Sequence, residues 1–309
     1  MKVVSPRKPR LPRIGAHVSV AGGLGEVLPR ARAIGAEAVQ VFPSSPRQWR
    51  PCRYAAAEAQ AFGAGLTDAG IPLFVHTIYL INLATPDPDL RARSVAAVTD
   101  ALVFGTRAGA AGVVTHLGSH RGEGFDAACP RVAEALDRAL EAARTVGGAD
   151  PPALLLETAA GGRGAVGNTP EELGRLLSLA LASHLGVCLD SAHLFAAGYP
   201  VHTPGGLGET LNEFDAALGP GRIGLVHLND SVTAQGSRRD RHANLWTGAL
   251  GREGMAAWVQ APPLLGVPFV LETPGFDGNG PDHRNLWRAR RLRGAAQRAR
   301  TGENQVKHE

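Results

Sequence analysis

Eight short apolar runs recur along the chain, at 14–18, 38–42, 72–76, 112–116, 153–157, 185–190, 223–228 and 267–272. Each is rich in Val, Ile or Leu and none alternates cleanly with polar residues, so each predicts a strand buried on both faces, as in a parallel sheet. Between them lie segments with helical spacing, clearest at 90–109, 127–146 and 169–182. The last opens with Thr169-Pro170-Glu171-Glu172, an N-cap followed by Pro in the first turn and carboxylates at the positive end of the helix dipole. Strand and helix alternating eight times predict an α/β fold, a (β/α)8 TIM barrel forming one domain over 13–300. A doubly wound open sheet is the competing arrangement, but no GxGxxG follows the first run. The ends, a basic tail at 1–12 and a short tail at 301–309, are expected to be flexible.

Composition changes this picture little. A 44% hydrophobic fraction is enough for a sizeable core, and 32 Lys and Arg against 28 Asp and Glu permit nucleic-acid binding without requiring it. No apolar stretch is long enough to span a bilayer, and the basic N-terminus lacks the apolar segment of a secretory signal. Three cysteines without a CxxC argue against a disulfide framework and a thiolate zinc site, so a reducing cytoplasm is the expected location.

The chemistry lies at the ends of the runs. Reading the last residue of each, or the residues shortly after it, gives His76, His116, Glu157, Asp190 with His193, His227 with Asp240 and His242 in the loop that follows, and Glu272. One histidine at a strand end is usually a hydrogen-bonded structural residue. Six consecutive strands delivering five imidazoles and four carboxylates to the face where barrel enzymes build their sites is not a packing requirement. Gathering those groups without cations would also bury like charges together, at high cost. Imidazole with carboxylate suits Zn, Mn or Fe(II), and five histidines favour zinc. Nine ligands exceed the needs of two ions; three ions at roughly four-coordination offer about twelve positions, leaving room for hydroxide or substrate even when one carboxylate bridges. Three divalent ions against four carboxylates leave a positive surplus, which suits a phosphodiester whose transition state gains negative charge.

The motifs IGAHVSVAGGL (14–24), RQWR (47–50), HTIYLINL (76–83), THLGSH (115–120), LLETAAGGRG (155–164), GVCLDSAHLFAAGY (186–199), HLNDS (227–231), GSRRDRH (236–242) and LETP (271–274) carry a resemblance that spans about Ile14 to Gly275. The chain resembles the endonuclease IV family, zinc-dependent apurinic/apyrimidinic endonucleases of base excision repair. The resemblance implies a (β/α)8 barrel with three Zn2+ ions, Mn2+ or Fe2+ being able to stand in at some positions. His76 and His116 would hold one ion, with Glu157 bridging to a second completed by Asp190, His227 and Glu272. His193, Asp240 and His242 would hold the third. The implied reaction is attack of hydroxide on the phosphorus 5′ to an abasic site in duplex DNA, leaving a 3′-hydroxyl and a 5′-deoxyribose phosphate, with Glu157 orienting and deprotonating the nucleophile. Arg47, Tyr79 and Leu80 match residues that enter the base stack at the lesion, where unstacking costs least. A monomer with no membrane contact is expected.

Other residues read more plainly. His17 lies outside the nine ligands and is expected to support them or the fold, Gln40 reads as structural, and His120 is a candidate phosphate contact. The Arg-rich stretch 284–300 reads first as the solvated face of a last helix, with Leu286 and Leu292 turned inward. The chain departs from the family where Trp246-Thr247 replaces a usual Gly-Glu, where Pro200 replaces Asp, and where Thr158-Ala159 replaces Asn-Thr. These changes leave the ligands intact and imply altered hydrogen bonding around them. Two other functions compete: a xylose-isomerase-like sugar isomerase or epimerase with one or two divalent ions, against which the trio His193, Asp240 and His242 argues, and a DNA-binding relative with weakened catalysis.

Overall fold

The computed structural model describes residues 11–181 and 184–301; the tails expected at the ends fall largely outside them. All eight expected strands form: β1 (Ile14–His17), β2 (Val39–Val41), β3 (Leu73–His76), β4 (Gly112–Thr115), β5 (Ala153–Glu157), β6 (Leu185–Asp190), β7 (Ile223–His227) and, after the antiparallel pair β8 (Asp230–Ser231) and β9 (His242–Ala243), β10 (Phe269–Leu271). They pair in parallel and close in the order β1-β10-β7-β6-β5-β4-β3-β2, the TIM barrel. Several strands end one residue earlier than the apolar runs, because the ladder stops where the chain splays at the barrel mouth, even where the next residue stays buried, as at Val18 and Leu228.

The helices are α1 (Val27–Ile34), α2 (Ala56–Asp68), α3 (Pro88–Arg107), α4 (Phe125–Gly147), α5 (Pro170–Leu179), α6 (Ser191–Ala197), α7 (Pro204–Leu218), α8 (Gly251–Gln260) and α9 (His283–Thr301). Thr169 caps α5 as expected, its side chain accepting from Glu172 N, but that helix ends at Leu179. α3 starts at Pro88, two residues ahead of the expected start, because Asp87 accepts from Asp89 N and Leu90 N and so fixes the first turn earlier. Along α9, Leu286 and Leu292 are buried as expected.

The apolar runs fail to alternate because both strand faces are buried, in two separate cores. Ile14, Val39, Val75, Val113, Leu154, Leu156, Val187 and Val226 face the helices. Ala38, Phe74, Val114, Leu155, Cys188, Leu225 and Val270 form a second cluster inside the barrel. Leu155 fills its centre, and Gly112 and Gly186 make room for it: a Cβ on either would come within 3.0 or 2.9 Å of the Leu155 side chain. Among the described residues no helix is long and apolar enough to cross a membrane.

Candidate metal centre

Side chains two residues apart on a strand share a face. Two residues beyond each member of the inner cluster stand Gln40, His76, His116, Glu157, Asp190, His227 and Glu272. The polar layer therefore rests directly on a dry apolar floor, and its groups cannot be hydrated from below. His17 takes the corresponding place on β1. His193 comes from the first turn of α6, where Asp190 both ends β6 and caps the helix by accepting from His193 N at 2.8 Å. Asp240 and His242 arrive on the β8–β9 excursion. All nine expected ligands are thus brought to one end of the barrel.

Their donor atoms fall into overlapping groups. The ligand atoms of His76, His116 and Glu157 lie within 4.8 Å of one another, as do those of Glu157, Asp190, His227 and Glu272, and those of Asp190, His193 and His242. Asp240 sits at the rim of the last group, with Oδ2 3.2 Å from His193 Nε2 and Oδ1 3.1 Å from His242 Nε2. Glu157 is the hub: Oε2 is 3.1 Å from His76 Nε2 and 3.3 Å from His116 Nε2, and Oε1 is 2.9 Å from His227 Nδ1.

The far nitrogens of four imidazoles are already engaged. His76 Nδ1 donates to Thr77 O (2.7 Å), His193 Nδ1 to Thr158 O (2.8 Å) and His242 Nδ1 to Glu272 O (3.3 Å), since a carbonyl can only accept. Gln40 Nε2 donates to Glu272 Oε1 (2.7 Å), which turns its Oε1 toward His227 Nε2 (2.9 Å) as the acceptor. In the neutral tautomer, each remaining ring nitrogen aims a lone pair at carboxylate oxygens. Lone pair against carboxylate at about 3 Å is repulsive unless a cation sits between them. His242 Nε2 is buried and close to Asp240 yet makes no hydrogen bond, so the two groups converge on a common point rather than on each other. The donor set fits metal ions.

The electrostatics agree. Burial alone would push Glu157 up, yet His116, His227 and His76 hold its carboxyl well below the usual range. Burial opposes charge on His193, His227 and His242 as well. Nevertheless Asp190, Asp240 and Glu157 hold His193 well above its ordinary value, Cys188, Glu272 and Glu157 do the same for His227, and Asp190 and Asp240 raise His242 to about 9. His116, where burial prevails, is lowered. Most of these imidazoles favour a positive charge at the position where a metal would supply one.

Several supports were not evident in the sequence. Gln40, expected to be structural, binds two expected ligands directly, and His17 accepts from Gln40 Nε2 at 3.1 Å. Asn229 donates to Asp190 Oδ2 and accepts from Glu272 N, tying two ligands together. Thr158, at one of the changed family positions, accepts from Asp190 N through its hydroxyl and from His193 through its carbonyl. Asp230 accepts backbone N–H groups from Ser231, Gly248, Leu250 and Gly251, pinning the loop that carries the other changed position. There Trp246 occupies the left-handed region, φ 67°, a conformation glycine adopts freely and a bulky residue rarely does. The signal that could have found Gln40 is the shared offset of two from the inner apolar residues.

Arg47 and Tyr79 line a groove of about 1020 Å3 that reaches Glu272 and the 278–281 loop. Tyr79 is 51% exposed, packs edge-on against Phe42 at 5.1 Å, and also borders the 280 Å3 opening over the donor cluster. Leu80 is half-buried and packs on the outer core. His120 lies off the cluster, beside the 161–165 loop; its Nδ1 accepts from Gly122 N and Gly124 N, which leaves the proton on Nε2.

Residues 28–295 match the xylose isomerase-like TIM barrel family. A probable endonuclease 4 from Chloroflexus aggregans is 40% identical over 278 residues, covering 89% of this chain and 96% of the relative. One from Nitratidesulfovibrio vulgaris is 38% identical over 92% of this chain and all of the relative. The crystal structure of endonuclease IV from Thermus thermophilus superposes with a TM-score of 0.78 at 37% identity, covering 93% of this chain and 100% of that one. A shared barrel at such identity over nearly full length, with the donor cluster at its mouth, leaves one placement: the chain belongs to the endonuclease IV family.

Proposed function

We propose that this enzyme is an apurinic/apyrimidinic endonuclease that hydrolyses the phosphodiester 5′ to an abasic site in duplex DNA, leaving a 3′-hydroxyl and a 5′-deoxyribose phosphate. The observation that carries the reading is the set of imidazole nitrogens whose lone pairs, in the neutral tautomer, face carboxylates at about 3 Å, contacts that a bound metal ion would make favourable. His76, His116 and Glu157 would hold one divalent ion; Glu157, Asp190, His227 and Glu272 a second; and His193, Asp240 and His242 a third. Zinc suits this donor set best, with Mn2+ or Fe2+ able to replace it at some positions. When bound, the ions supply Lewis acidity toward the phosphate and a water of lowered pKa.

The chain's own residues do the rest. Glu157, reached by imidazoles from three strands, is placed to orient the nucleophile and accept its proton. Arg47 brings positive charge to the groove, where a DNA backbone would lie. Tyr79, a phenol uncharged at neutral pH whose hydroxyl is pushed further up to about 12 by partial burial and by Glu272, Glu157 and Asp240, would enter the stack as a neutral ring. Leu80 backs it. The enzyme would work as a cytoplasmic monomer.

The test is metal analysis together with incision of a duplex carrying one abasic analogue. About three divalent ions per chain are expected, with incision lost on chelation and restored by zinc. One ion per chain with sugar turnover would replace this reading with the isomerase. Tight binding without incision by the metal-loaded protein would replace it with a DNA-binding relative.

A further inference from the structure

The arginines of the last helix are of two kinds. Arg290 donates to Gly35 O, and Arg293 donates to Pro12 O and to both carboxylate oxygens of Glu37; these lock α9 to the barrel beside β1. Other arginines near the start of α9 differ. Arg284 stacks on Phe276 at 3.9 Å, Arg291 stacks on Trp287 at 5.2 Å, and Arg252 of α8 stacks on Trp246 at 5.3 Å. Arg288 lies between Trp246 and Phe276, at 5.0 and 4.7 Å, and donates to Leu245 O. Trp246 and Trp287 meet edge-to-face at 6.1 Å, which makes one continuous ledge.

Two properties set this ledge apart from an ordinary solvated helix face. Phe276 and Trp287 are 39% and 45% exposed, so large rings are held in water by guanidinium stacking rather than by a core. Among the described residues, Arg252, Arg284 and Arg291 form no ion pair and no hydrogen bond. Each is held at its ring face with its N–H edge free. Stacking fixes a guanidinium while leaving its planar donors available, the arrangement suited to phosphate oxygens. Trp246 keeps its ring in the ledge from a left-handed backbone, where a glycine would be relaxed. The ledge also adjoins the groove, because the 278–281 loop that lines the groove runs into α9 at His283.

We propose that this arginine–aromatic ledge is a second contact surface for duplex DNA, binding the phosphate backbone of the flank beyond the lesion. It rests on the reading above for its substrate. Its contacts are to phosphates, so they serve damaged and intact duplex alike and carry no sequence information.

The test compares the metal-loaded wild type with Arg284→Glu/Arg291→Glu and Arg284→Lys/Arg291→Lys. Affinity for an abasic and an intact duplex is measured across a salt series, with metal content and melting temperature as folding controls. The Glu pair is expected to weaken both duplexes by an order of magnitude or more at low salt. It should also flatten the slope of log affinity against log salt by roughly two, one for each phosphate that is no longer neutralised. The Lys pair keeps the charge and should retain most of the affinity and slope. Unchanged affinity and slope in the Glu pair would overturn the proposal, as would an equally large decrease in the Lys pair. Absence of incision by the wild type would count against the endonuclease reading alone, since the ledge is read from binding.

Discussion

Replacing Gln40 with Leu removes a side chain that touches no expected metal position yet holds two expected ligands. The amide donates to Glu272 Oε1 at 2.7 Å and accepts from His227 Nε2 at 2.9 Å, with Gln40 and His227 fully buried. Gln40→Leu keeps a similar volume and abolishes both bonds. The bond to the carboxylate contributes about 1.5–3 kcal/mol, and the His227 N–H left unpaired in the interior costs about 1–3 kcal/mol. The apo protein should therefore lose several kcal/mol of stability. His227 also loses the acceptor that selects its tautomer, so Nδ1 no longer faces Glu157 and Glu272 with a dedicated lone pair. Loss of such an outer partner weakens metal binding by about 10–100-fold, which is roughly 1.4–2.8 kcal/mol. Titration against a chromophoric chelator should show one ion of the set released at correspondingly lower chelator, while the ions served by His116 and by Asp240 stay as tight as before. A Leu variant that holds every ion with wild-type affinity would refute the tautomer argument.

Three further outcomes follow from the geometry. Glu157→Gln should lower single-turnover incision of an abasic duplex by about 10²–10⁴-fold while DNA affinity stays within a few-fold; a variant incising at the wild-type rate would remove Glu157 from the reaction. Tyr79→Ala should weaken binding to abasic duplex by about 1–3 kcal/mol and leave metal content unchanged; equal affinity would argue against the wedge. Glu37 is held below the usual carboxylate range: burial opposes this, but Arg293 and the Ile14 N–H outweigh it. Its contribution to stability is therefore complete above the unfolded pKa of about 4.3 and is lost as pH falls through the lower folded value. Chemical denaturation of wild type and Glu37→Gln should differ by about 1–3 kcal/mol at pH 7 and converge in acid.

The barrel and its nine clustered donors were legible because both rest on local signals. Parallel strands buried on two faces read as unbroken apolar runs, and histidines or carboxylates at the ends of six such runs have no packing explanation. What escaped the sequence depends on contacts between distant residues. Gln40 meets Glu272 across 232 positions and looks like any buried amide until the register is known. Asp230, three residues after His227, has its carboxylate taken up by backbone N–H groups of Ser231, Gly248 and Leu250, a role that depends on where the distant 248–251 segment packs. The Arg-rich helix read correctly for its buried leucines, but composition could not separate Arg290 and Arg293, which bind the barrel, from Arg284 and Arg291, which stack on rings.

The offset of two between floor and donors also accounts for the order of the site. Phe74, Leu155 and Cys188 close the barrel beneath the ligands, and a carboxylate above them has no water below and imidazoles beside it. The acidic groups beside them are why His193, His227 and His242 are driven upward despite burial. Metal binding would then exchange protons for divalent charge. Because four of the five imidazoles are held by their far nitrogens, and Asp190 and Glu272 are linked through Asn229, these donor groups are hindered from relaxing toward one another. The arrangement thereby favours cations, at the end of the barrel where Tyr79 borders both the opening over the donors and the groove that Arg47 lines.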